Sequence, residues 1–118
     1  MDIKYLGKFL IACLFLIVGL YSLLFNFDKF TNSVSSKNIP FPVIVAFIVL
    51  LWHIIPGIIM IISTNKQYVR WSVISLIVFV FVASILYHNV FNDIGQLQNM
   101  MKNLALIGGL LLIYANEV

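Results

Sequence analysis

The chain has 118 residues, of which 63% are hydrophobic and 9% charged, and its net charge is +3. That length holds one compact domain, and a soluble domain so small cannot hide that much apolar surface, so most of these side chains must be solvated by lipid. The charge is too small for a nucleic-acid footprint, and Cys13, the only cysteine, rules out an internal disulfide, a dithiol centre and a cysteine-based zinc site.

No charge falls between Lys8 and Asp28, Lys37 and Lys66, Arg70 and Asp93, or Lys102 and Glu117. A hydrocarbon core about 30 Å thick needs about 20 helical residues. The predicted spans are therefore Tyr5–Phe25, Pro42–Ser63, Val69–Tyr87 and Leu97–Tyr114. The first follows Lys4 and Lys8, but its apolar run is too long for a signal-peptide core and lacks a small-x-small cleavage site, so it reads as a retained helix. Four segments cannot close a β-barrel. The expected fold is all-α: one integral membrane domain over residues 1–118, a four-transmembrane-helix up-down-up-down bundle with both termini on the same side.

The connection Asn26–Phe41 reads as a loop whose Phe27 and Phe30 lie along the membrane surface. Its Pro40 and Pro42 force an extended entry into the second span. Thr64–Tyr68 is a tight polar turn. His88–Gln96 is polar, with His88 solvated at the interface and Asn92 or Asp93 as helix caps. Lys4, Lys8, Lys66 and Arg70 fall on the terminal side, against Lys29, Lys37 and Lys102 on the other, so the positive-inside rule puts both termini in the cytoplasm or its equivalent. Tyr5, Tyr68, Trp71 and Tyr114 mark one interface, Tyr21 and Tyr87 the other.

Lipid gives apolar helices no incentive to associate, so close packing falls to small residues: Gly19 in the first span, Gly57 in the second, and Ala105, Gly108 and Gly109 in the fourth. Pro56 removes an amide proton and crowds the carbonyl of Trp52, which predicts a kink in the second span. His53 places an ionisable ring near the bilayer midplane, where polar groups are costly and often functional. It is the one weak catalytic candidate, a proton relay or quinone hydrogen-bonding group; the rival reading is a neutral histidine bonded inside the bundle. Ser72, Ser75 and Ser84 are expected to bond within the third span or to its neighbours. The sequence holds no Ser/His/Asp set, phosphate loop or carboxylate pair, and its two histidines are too few for paired haem ligation or a shared metal site.

From Met101 through Lys102-Asn103-Leu104-Ala105-Leu106-Ile107-Gly108-Gly109 to Leu112, the fourth span resembles the last helix of the DoxX family of small membrane proteins. Gly19-Leu20, Ile39-Pro40-Phe41-Pro42, Gly57 and Arg70 are similar to further family elements in the same order. Ser22 stands where many members have lysine, and His53 where many have glutamate four residues before the glycine, so the embedded polar chemistry is altered here. The resemblance implies a four-helix fold and a membrane location; some relatives serve a thiosulfate:quinone oxidoreductase and others accompany redox or assembly systems.

The function these features point to is a non-catalytic accessory or structural subunit of a larger membrane complex, respiratory if the relatives are a guide. The alternative is a quinone-linked redox or proton-handling subunit using His53. A transporter is disfavoured, because four helices without polar pore residues need oligomerisation to form a pathway. The expected surroundings are the lipid bilayer and either partner proteins or further copies of the chain, with no nucleic acid, no metal and no cofactor, quinone being the alternative. The membrane is the bacterial cytoplasmic or mitochondrial inner membrane, and the Ile, Asn, Lys, Phe and Tyr bias of an AT-rich genome fits a viral membrane as well.

Overall fold

The computed structural model describes residues 2–87, 91 and 93–116, and among them there are helices and no strand. Several helix starts trace to a side chain that caps a free amide or to a proline that has none. In α1 (Ile3–Phe25), the Asp2 carboxylate accepts the Lys4 N–H at 3.2 Å. Pro42 opens α3 (Pro42–Ile62), at a position where no amide proton is needed. Asn65 Oδ1 accepts from the N–H groups of Gln67 (2.9 Å) and Tyr68 (3.3 Å), which starts α4 (Lys66–Tyr87) three residues before the predicted span. Asp93 accepts from the Gly95 N–H at 2.9 Å and opens a single 3-10 turn, Ile94–Gln96, leading into α5 (Leu97–Asn116). His88 and the alternative cap Asn92 lie outside the described residues.

The connection read as a loop contains a helix, α2 (Phe27–Ser35). Phe27, Phe30, Thr31 and Val34 recur at helical spacing; Val34 is buried and the other three half-buried. Asp28 occupies the favourable first turn. The chain then reverses through two residues with positive φ, Asn38 (59°) and Phe41 (52°). Asparagine tolerates that region; Phe41 is pressed away from the right-handed helical region by the following Pro42.

The four long helices form a ring of contacts, α1 on α3, α3 on α4, α4 on α5 and α5 on α1. Neighbours run antiparallel: Gly19 meets His53 while Gly57 meets Ala12 and Leu16, and Arg70 bonds Tyr114 while Ser84 bonds Asn103. The core is built from Ala12 and Phe15, Met60, Val69, Val73, Leu76 and Val80, Leu110 and Ile113. Large apolar side chains such as Ile17, Leu24, Phe47, Ile48 and Phe81 point outward. In water such a surface would aggregate; in hydrocarbon it is ordinary.

By length and composition α1, α3 and α4 are each able to cross a membrane. The fourth predicted span, Leu97–Tyr114, falls short of that apolarity because Gln98, Asn99, Lys102 and Asn103 occupy its first two turns. At 20 residues α5 is nevertheless about 30 Å long.

The glycines divide by what surrounds them. A Cβ at Gly19 would lie 2.9 Å from both His53 Cβ and Ile54 Cγ1, and one at Gly57 would lie 3.1 Å from the Ala12 carbonyl oxygen. At Gly109 it would meet only the tip of Ile11, at 2.9 Å. The packing expected at Gly108 is not seen, since a Cβ there would meet nothing within 4 Å. Ala105 is exposed. One helix face carries Gly109 to α1, and at 100° per residue Gly108 is turned off that line. Pro56 is buried inside α3, which stays helical from Pro42 to Ile62.

Candidate functional site: His53 between two cavities

His53 sits at the midpoint of α3 and is buried. Its place depends on Gly19, the residue of α1 that leaves room for the His53 Cβ. The ring is held edge-on to Phe79 of α4, with centroids 4.3 Å apart, and tilted to Phe15 of α1 at 5.9 Å. Phe79 is itself set against Trp52 at 5.5 Å. His53 Nδ1 lies 2.9 Å from the Val49 carbonyl, one turn back on its own helix. A carbonyl only accepts, so Nδ1 carries the hydrogen and Nε2 of the neutral ring is left as an acceptor.

Two cavities meet at this ring. One, about 320 Å³, runs between α2, α3 and α4 from Ser33 and Tyr87 down to Trp52, His53 and Phe79. The other, about 340 Å³, lies towards α1 and α5 and is lined by Phe15, Val18, Val80, Asn103 and Leu106. His53, Phe79 and Ala83 border both. Each volume falls at the lower end of the range for small-molecule sites, roughly 300–1,000 Å³. None of the described residues lining either cavity carries an acidic or permanently cationic side chain.

The remaining polar side chains pin the seams of the ring. Tyr5 OH donates to the Ile61 carbonyl at 3.1 Å, joining α1 to α3. Trp52 Nε1–H donates to the Ser75 carbonyl at 3.0 Å, joining α3 to α4. Ser84 donates to the Val80 carbonyl at 2.7 Å and accepts from Asn103 Nδ2 at 3.0 Å. Arg70 Nη2 donates to Tyr114 OH at 2.6 Å, with the guanidinium 4.6 Å from that ring's centroid. The Arg70 Nε is buried without a hydrogen-bond partner among the described residues. Tyr87 OH reaches back to the Ser33 carbonyl of α2 at 3.3 Å. Ser75 bonds the Ser72 carbonyl within α4 at 2.8 Å. Ser22 is buried on α1, and Cys13 is half-buried there.

The sequence picks out His53 and Gly19 without showing that they touch. It does not single out Phe15, Phe79 or Asn103 as neighbours of the site. Asn103 left one legible signal, an amide just inside an apolar helix, which in lipid must find a partner. The aromatic rings left none, because phenylalanine facing a site and phenylalanine facing lipid look alike in sequence.

Apolar helices pinned at their seams by single hydrogen bonds, with outward faces suited to hydrocarbon, define an integral membrane protein. The chain belongs to the DoxX family, whose model matches residues 4–89. The match covers α1 to α4 and ends before α5, so the Met101–Leu112 block lies outside it. No curated protein and no solved structure matches the chain.

Proposed function

We propose that the chain is a four-span subunit that helps to build or stabilise a larger membrane assembly and performs no chemistry of its own. Its long dimension of 41 Å matches a bilayer with its headgroups, about 40–45 Å. The antiparallel order of α1, α3, α4 and α5 supports four crossings, with Asp2 and Asn116 bordering one cavity at a common end. On charge that end is cytoplasmic, or the equivalent side of a mitochondrial inner membrane.

The observation that carries the reading is the setting of His53. Its Nδ1 proton is bonded to Val49, aromatic rings hold two of its flanks, and the described residues lining the cavities beside it offer no charged group to give or take a proton. Such a histidine works as a packing element. Gentle detergent solubilisation followed by native-gel mass spectrometry tests the proposal: recovery in a heteromeric complex supports it, and recovery as a lone species overturns it.

The two cavities favour a second reading, in which the Nε2 acceptor takes the hydroxyl hydrogen of an uncharged ring ligand, the reduced (quinol) form of a quinone. His53→Gln separates the two. A packing histidine tolerates the amide, leaving assembly and quinone-dependent electron flow in the parent membrane intact. Loss of that flow with assembly preserved makes His53 a working group.

A further inference from the structure

A third cavity, about 230 Å³, opens at the end of the molecule where α1 and α4 begin and α5 finishes. It gathers Lys4 and Lys8 of α1 and Lys66 of α4, together with Asp2, Tyr5 and Asn116. Three of the chain's seven lysine and arginine residues thus meet around one space, although 58 positions separate Lys8 from Lys66. Like charges repel, and a fold that brings them together leaves a preference for an anion between them. Among the described residues lining it, the one acidic side chain, Asp2, receives the Lys4 backbone N–H. Lys8 lies over the Tyr5 ring, 5.4 Å from its centroid. Neither Lys4 nor Lys66 makes a side-chain hydrogen bond or ion pair among the described residues. Asn116 supplies an amide.

We infer that this cavity binds the phosphate of an anionic membrane lipid, with Lys4 and Lys66 beside the phosphate and Tyr5 and Ile113 against the glycerol and upper acyl chain. The polar and apolar walls suit a group that is charged on one side and hydrocarbon on the other. Its place at the leaflet surface rests on the four-span reading, whereas its preference for phosphate rests on the lysines alone.

The test uses the full chain purified in a neutral detergent. Native mass spectrometry follows retention of phosphatidylglycerol and phosphatidylcholine by the unaltered protein, by Lys4→Gln, by Lys66→Gln and by Lys102→Gln as a control at the far end. Lys4, Lys66 and Lys102 are exposed, so the fold does not depend on them. Phosphatidylglycerol is expected to be retained over phosphatidylcholine, with its retention falling about fivefold for each of Lys4→Gln and Lys66→Gln and unchanged in Lys102→Gln. Equal retention of the two lipids, or indifference to Lys4→Gln and Lys66→Gln, overturns the inference. Displacement of the lipid by inorganic phosphate at low concentration would make the ligand a free phosphate and overturn the lipid assignment. Cysteine labelling of the termini checks the topology separately, so failure of lipid binding with same-side termini counts against this site alone.

Discussion

Gly19→Ala and Gly108→Ala make the same chemical change in helices, but the surroundings give them different outcomes. Both gain helix propensity, about 1 kcal/mol for replacing glycine by alanine. At Gly108 nothing lies within 4 Å of the new methyl, so that gain stands. At Gly19 the methyl would sit 2.9 Å from His53 Cβ, an atom fixed to the α3 backbone, and 2.9 Å from Ile54 Cγ1. The helices must then separate or the side chains leave their rotamers, at a cost of about 1–3 kcal/mol. Because the propensity gain is common to both, the difference between the variants isolates the packing cost, about 1–3 kcal/mol with Gly19→Ala the less stable. Unfolding in mixed micelles with increasing sodium dodecyl sulfate, followed by loss of helical circular dichroism, measures that difference. Equal shifts of the same sign would refute the close approach of α1 to α3 at His53.

Tyr114→Phe removes the acceptor for Arg70 and leaves a half-buried guanidinium unpaired, so the same unfolding assay should show a loss of about 1.5–3 kcal/mol. Asn103→Leu should cost less, about 0.6 kcal/mol, because the Ser84 hydroxyl keeps its bond to Val80 and no polar group is stranded; a loss as large as that of Tyr114→Phe would show that the amide serves something besides Ser84. Single cysteines at Asp2 and Asn116 should react with an impermeant thiol reagent from one side of the membrane and a cysteine at Ser35 from the other, and labelling of Asp2 and Asn116 from opposite sides would remove the four-span topology. The native Cys13 is replaced by serine for that experiment.

The long helices were legible because hydrocarbon is an undemanding solvent: a charge-free run of sufficient length has one structural solution there. Their partners were harder to read. Gly19, Gly57, Gly108 and Gly109 look equivalent along the chain, yet whether a Cβ fits depends on what faces each one, and that is set by helix rotation. The short α2 was missed because a connection rich in serine and lysine reads as loop until the 27-30-31-34 pattern is placed against a wall. His53 was legible as an anomaly, an ionisable ring in an apolar run. Its surroundings were not, because Phe15 and Phe79 come from other helices and carry no mark that separates them from lipid-facing phenylalanines.

The hydrogen bonds that tie α4 to α5 also bear on the order in which the chain is made. Arg70 and Ser84 fall within the stretch that defines the family, while Tyr114 and Asn103 come after it. As synthesis proceeds, α4 enters the membrane with a guanidinium whose phenol has yet to be translated. Until α5 docks, that cation has only water and headgroups to bond at the membrane interface. A chain stopped at Gln96 would keep the family signature and lack the phenol that pairs with Arg70, so the last helix completes a hydrogen bond as well as a wall of the ring.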